Sequence, residues 1–132
     1  MEIRPIHPDE IEQARQLLAA IGWSHRVGDL DQFRDLVARS QVALVAVEDG
    51  QVVGFVRALT DGVTNGYISM LGVRESSRLQ GIGSALVRAA MGQNPEMTWV
   101  LRAGRPGLFR FYERLGFRVS QVAMERVRAS AV

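Results

Sequence analysis

The stretch "RLQGIGSALV", Arg78 to Val87, places Gly81 and Gly83 at the start of a segment that otherwise reads as an amphipathic helix. A helix begins with backbone N–H groups that have no partner inside it, and its dipole adds partial positive charge at that end. Glycine in a helix interior costs about 1 kcal/mol relative to alanine, so two of them ask for compensation. Lacking Cβ, they let a phosphate approach the amides of Leu79, Gln80, Gly81, Ile82, Gly83 and Ser84, with the Arg78 guanidinium just before them to share the charge. The same glycines also suit a tight strand-to-helix turn or close packing on a sheet, and these residues alone leave both readings open. The stretch is no P-loop, because no Gly-Lys-Ser/Thr follows, and it lacks the third glycine of the dinucleotide fingerprint.

Gly72 adds to the first reading. It falls inside the preceding strand, Tyr67 to Val73, where glycine marks a bulge or a place that another backbone or a ligand approaches closely. A perturbed strand running into an anion-ready helix suits an elongated ligand that lies along exposed strand backbone with its phosphates at the helix start. Coenzyme A has that shape.

The elements that must position these residues can be read on both sides. A short strand over residues 3–6 precedes a helix with Ile11, Ala14, Leu17, Leu18 and Ile21 at helical spacing, which Gly22 stops. A second helix follows, with Asp29 as N-cap and Leu30, Phe33, Leu36 and Val37 on one face. "VALVAVEDGQVVGFVRAL" is an antiparallel pair turning at Asp49-Gly50. The helix after the glycines carries an apolar stripe of Ile82, Ala85, Leu86, Ala89 and Ala90. Then come a strand in "TWVLRA", a helix opened by Pro106 and ended by Gly116, and a tail, "FRVSQVAMERVR", with strand character. The order β-α-α-β-β-β-α-β-α-β, with no linker or repeat, implies a single domain over residues 1–132 of the α/β or α+β class.

Composition narrows the chemistry. All 16 basic residues are arginine and the net charge is only +2, with no basic run and no basic-aromatic alternation, which argues against nucleic acid as a partner. The absence of cysteine excludes thiolate catalysis, and two histidines, His7 and His25, without metal-ligand spacing argue against a metal site. No apolar run approaches the ~20 residues that span a bilayer, and "MEIRPIHPDE" lacks a signal peptide's apolar core, so the expectation is a cytoplasmic protein without a membrane partner.

With these residues in view, the sequence resembles the GNAT family of N-acetyltransferases. The family signature Arg/Gln-x-x-Gly-x-Gly/Ala is matched by Arg78, Gly81 and Gly83, and the later signature by "FYERLGF", Phe111 to Phe117. The spacing and element order between the two match as well. The resemblance implies a mixed, mostly antiparallel sheet flanked by about four helices, in which the strands Tyr67–Val73 and Thr98–Ala103 run parallel and splay apart. Acetyl-CoA is the implied co-substrate: Leu71, Gly72 and Val73 would offer backbone groups to its pantetheine arm, and residues 78–84 would hold its pyrophosphate. A homodimer is common in such proteins.

The implied activity is transfer of the acetyl group to a primary amine of a small molecule or peptide, by direct attack in a ternary complex. Tyr112, at the family's tyrosine position, would protonate the departing thiolate, the alternative being that it only packs at helical spacing with Phe109 and Leu115. On the acceptor side, Asp61 could attract a cationic amine, and Trp23, His25 and Arg26 line the connection between the first two helices. No general base declares itself. Arg105 stands where many members carry a cofactor-contacting asparagine, and the tail after Phe117 is short for the last two strands. A non-catalytic CoA-binding sensor or regulatory module is the competing reading.

Overall fold

A computed structural model describes residues 1–129, in two compact units, the first spanning residues 1–102 and the second beginning at Ala103. In the first, β1 (Glu2–Pro5), β2 (Val42–Glu48), β3 (Gln51–Thr60), β4 (Asn65–Val73) and β5 (Thr98–Leu101) form one sheet in the order β1-β2-β3-β4-β5. The first three pairings are antiparallel and β4–β5 is parallel, so the architecture is the mixed, mostly antiparallel one expected.

Both sheet faces are covered. On one side lie α1 (Ile11–Leu18), a single turn α2 (Ser24–Val27) and α3 (Leu30–Ala38); Ile11, Ala14, Leu17, Leu18 and Phe33 bury against Val45, Phe55 and Met70. On the other lies α4 (Ile82–Met91), with Ile82, Leu86 and Ala90 against Ala46, Val53, Val56, Ala58 and Ile68. Burial on both faces is why β3 reads as a nearly continuous apolar run rather than an alternating one. Each large side chain fully enclosed here, such as Phe33 and Phe55 with ring centroids 5.7 Å apart, contributes roughly 1.5–3 kcal/mol.

Local chemistry places the joints. Asp49 and Gly50 both take positive φ, 50° and 75°, which gives the tight β2–β3 turn. Asp29 accepts from the Gln32 amide at 2.8 Å while the Gln32 side chain returns to the Asp29 amide at 2.8 Å, a reciprocal cap on α3. Arg4 and Glu10 form a two-pronged pair, both contacts 2.8 Å, that fastens β1 to the start of the first helical segment.

Three local expectations differ from what is observed. After Gly22 the chain makes the extra helical turn α2 before Asp29. The buried stripe of α4 includes Val87, and Ala89 is exposed, because the helix is rotated slightly on the sheet. Residues 117–128 form no strand: the Ser120 hydroxyl accepts from the amides of Val122 and Ala123, turning the chain, and Val122 and Met124 stand exposed.

The second unit holds α5 (Pro106–Glu113), giving four helices of eight residues or more among the described residues. Its C-terminus is closed by the Phe117 amide donating to the Tyr112 carbonyl at 3.1 Å, with Gly116 at φ 96°. No described helix is long and apolar enough to cross a membrane.

Candidate functional site

The parallel partners part midway along β4. Pairing with β5 runs from Asn65↔Thr98 to Ile68↔Leu101 and then ends, whereas β4 continues to Val73. The register against β3 shifts at the same place: Arg57 opposes Met70 and Ala58 opposes Ile68, so Ser69 is the extra, bulged residue. The strand is therefore perturbed at Ser69 and not at Gly72.

Beyond the bulge, hydrogen-bond alternation fixes which backbone groups face outward. The Arg74 amide donates to the Val53 carbonyl at 2.8 Å, which makes that pair hydrogen-bonded. Alternation then directs the backbone groups of Gly72, paired with Phe55, toward β3, and those of Leu71 and Val73 toward the edge that β5 has left. Arg78 Nε donates to the Val73 carbonyl at 3.2 Å, so the guanidinium folds back over the end of β4. Gly72 itself serves packing: a Cβ there would lie 2.7 Å from Ile21 Cδ1 and 2.9 Å from Leu18 Cδ2, at the end of α1.

The loop from β4 to α4 is built around two left-handed residues. Leu79 has φ 65° and is fully exposed, a conformation that costs a non-glycine residue roughly 1–2 kcal/mol. Gly81, at φ 80°, is the N-cap of α4 and contributes no side-chain cap. The first intrahelical bond here runs from the Ala85 amide to the Gly81 carbonyl at 3.1 Å, which leaves the amides of Ile82, Gly83 and Ser84 at an uncapped, dipole-positive terminus. A Cβ at Gly81 would meet no atom within 4 Å beyond its chain neighbours and the helix's own backbone, so no distant side chain crowds this N-cap residue. An open cradle of amides beside a free strand edge suits the pyrophosphate and arm of a coenzyme A molecule.

The remaining candidates have these surroundings. Asp61 Oδ1 accepts from the amides of Val63, Thr64 and Asn65, at 2.8, 2.8 and 3.1 Å, and Oδ2 from the Thr64 hydroxyl at 2.5 Å. These bonds, that of Thr64 first, hold its carboxyl far below the usual range; it is an ionised group committed to its own turn. Trp23 is partly buried and packs on the α1–α3 core. Within the second unit, the Tyr112 ring is buried, with Phe111 and Phe117 edge-on at centroid distances of 4.9 and 5.8 Å. Among the described residues nothing hydrogen-bonds its hydroxyl, which is not sealed from solvent, and burial of the ring pushes its pKa upward from 10.

One residue on this face had no sequence signal. Arg57, on β3, donates from Nη1 to Ser69 Oγ at 2.7 Å and from Nε to Ser40 Oγ at 2.7 Å, tying the β4 bulge to the end of α3. Among the described residues no group of three or more His, Asp or Glu side chains could hold a metal ion.

Comparison with known proteins follows this geometry. No curated protein matches the chain. An acetyltransferase of the GNAT family from Streptococcus pneumoniae superposes with a TM-score of 0.77 at 24% identity, covering 98% of this chain and 97% of that one. A Trypanosoma brucei acetyltransferase superposes at 0.75 with 23% identity, covering 96% and 99%. At these identities the likeness establishes the fold. An aminoglycoside 6'-N-acetyltransferase complexed with coenzyme A superposes at 0.59 with 27% identity, covering 67% of this chain and 52% of that one. The profile of the acetyltransferase (GNAT) domain family matches residues 39–119, which run from β2 through the glycine loop to the end of the Tyr112 motif. The chain belongs to the GNAT acetyltransferase family, whose co-substrate is acetyl-CoA.

Proposed function

We propose that this chain is a single-domain N-acetyltransferase acting on the primary amine of a small molecule or peptide, by direct attack within a ternary complex. The observation that carries the reading is the uncapped α4 terminus, with Gly81 left-handed and uncrowded, following a strand whose pairing with β5 ends at Ile68. When bound, acetyl-CoA supplies the thioester acyl group. The amides of Ile82, Gly83 and Ser84 hold its pyrophosphate, with Leu79, Gln80 and Gly81 shaping the loop and Arg78 adding charge. The outward backbone groups of Leu71 and Val73 hold the pantetheine arm, and the Leu71 amide stabilises negative charge on the acyl oxygen.

Tyr112 donates the proton that the departing thiolate takes up. Its buried phenol stays protonated at neutral pH, the form needed to donate to a departing thiolate. Because the thiol's pKa of about 8.5 lies below that of the phenol, the transfer is uphill and is completed when the phenolate regains a proton from solvent. Asp61 contributes fixed negative charge toward a cationic amine, and Trp23 an apolar wall. The second reading, a CoA-binding module without turnover, draws on one observation: the Asp61 oxygens are engaged by Val63, Thr64 and Asn65, which leaves amine deprotonation to solvent.

Screening amines for free CoA release separates the two. Turnover with some amine, cut at least tenfold in Tyr112→Phe at unchanged acetyl-CoA affinity, is the expected result. Acetyl-CoA binding with no turnover across the panel selects the module. A Tyr112→Phe variant with full turnover removes the assignment of the acid.

A further inference from the structure

Arg57 lies at the β4 bulge, and among the described residues no carboxylate pairs with its charge. It follows Phe55 by two residues on β3, so it shares the sheet face covered by α1 and α3, and it directly opposes Met70, the residue before Leu71. Its two hydrogen-bond partners, Ser40 Oγ and Ser69 Oγ, are neutral.

The environment makes this arrangement costly. The side chain is half-buried, and desolvation pushes its pKa down from 12.5. A partly buried cation is normally paired, because losing water costs several kcal/mol per ion. The end of α3, reached through Ser40, whose hydroxyl donates to the Leu36 carbonyl at 2.7 Å, supplies only part of a compensating charge. Nη2 makes no hydrogen bond within the described protein and is not sealed from solvent, so one arm of the guanidinium remains available.

We propose that Arg57 binds a carboxylate on the acceptor, so that the substrate class is an amine that also carries a carboxylate group, as free amino acids do. Ser69 carries the geometric argument. It holds Arg57 Nη1 and is also the first β4 residue past the last β5 pair, so the cation and the opened strand edge meet at one bulge. Arg57 then anchors the acid end of the acceptor while its amine reaches the acyl group along Leu71. With Nε and Nη1 held by the two serines, Nη2 is left as a charged donor for a carboxylate oxygen. This inference rests on the acetyltransferase reading for the amine, and on Arg57 alone for the carboxylate.

The test has two arms. In the first, NMR follows the Arg57 Nε–H signal, assigned by its loss in Arg57→Lys, during titration with a pool of free amino acids and with the matching pool of amino acid carboxamides at constant ionic strength. A saturable shift with the acids and none with the amides is expected. An equal response to both pools, or none, overturns the proposal whether or not the protein turns over.

In the second arm, the same pools serve as acceptors, with CoA release as the readout and acetyl-CoA affinity measured separately. Arg57→Gln is expected to raise KM for the acids by about tenfold to a hundredfold, the loss of one charged hydrogen-bonding contact, and to leave KM for the amides within about twofold. Arg57→Lys, which keeps the charge and controls for folding, is expected to fall between. A purely structural clamp between Ser40 and Ser69 would instead lower turnover of acids and amides equally, and that result refutes the assignment. Failure of acetyl-CoA to bind defeats the acetyltransferase reading, while the NMR arm still decides the carboxylate site.

Discussion

Replacing Gly81 with alanine tests the helix start from which the functional argument begins. Gly81 sits at φ 80°, where an L-residue pays roughly 1–2 kcal/mol. Alanine also restricts the unfolded chain, returning roughly 0.4–1 kcal/mol, and is a poorer N-cap than glycine by about 0.5 kcal/mol. No steric cost is added, because a Cβ at this position meets no atom within 4 Å beyond its chain neighbours and the helix's own backbone. The net destabilisation of Gly81→Ala is about 1 kcal/mol, equivalent to about 4 °C in thermal midpoint for a chain of this size. Gly81→Asn, which tolerates the left-handed region and can cap the helix, should stay within about 0.5 kcal/mol of the parent. Urea unfolding of the three proteins reads both differences. Gly81→Ala as stable as the parent, with Gly81→Asn no better than alanine, would show that the loop does not require a left-handed residue and would refute the reasoning.

Two other substitutions address neighbouring parts. Gly72→Ala, whose Cβ would sit 2.7 Å from Ile21 Cδ1 and 2.9 Å from Leu18 Cδ2, is expected to lose about 1–3 kcal/mol of stability by pushing the end of α1 off β4; unchanged urea stability would contradict that packing. Glu10, whose pKa is lowered from 4.5 to about 2 chiefly by Arg4, is stabilising while ionised. That contribution is therefore complete above the unfolded value of 4.5 and is lost as pH falls toward 2. Glu10→Gln should cost about 2 kcal/mol at pH 7, and the gap to the parent should close between pH 5 and pH 2. A gap that persists unchanged to pH 2 would exclude the Arg4 pair as its source.

Legibility in the sequence followed the range of the forces involved. Asp29, Asp49-Gly50 and Gly22 act within a turn or a cap, and each was readable because the same few residues that carry the signal also close the structure. Gly72 was read as a bulge or as the approach of a backbone or ligand, whereas the bulge is at Ser69 and what crowds Gly72 is the side chains of Leu18 and Ile21, more than fifty residues earlier in the chain, which no local pattern encodes. The bulge at Ser69 leaves no residue signature, since it is set by how β3 and β4 register. Arg57 reads as an ordinary polar position in a strand until the fold puts it at that bulge without a carboxylate. The turn around Asp61 shows the converse: Asp-Gly-Val-Thr-Asn has the composition of a self-satisfied turn, and the carboxylate that looked available is spent on it. Strand character in the tail was propensity, which alone does not make a strand: residues 117–128 pair with no strand among the described residues.

The central claim is that the α4 terminus and the open β4 edge hold acetyl-CoA. Its most direct test is the thermal midpoint of the protein with increasing acetyl-CoA, with ADP and ATP as controls for generic phosphate binding. A ligand held only by the folded state adds about 2.7 kcal/mol at one hundred times its Kd, so the account predicts a midpoint that climbs with acetyl-CoA and moves far less with either nucleotide. An unmoved midpoint at saturating acetyl-CoA, with no heat in a direct titration, would contradict it and leave Gly81 and Gly83 as residues of a turn.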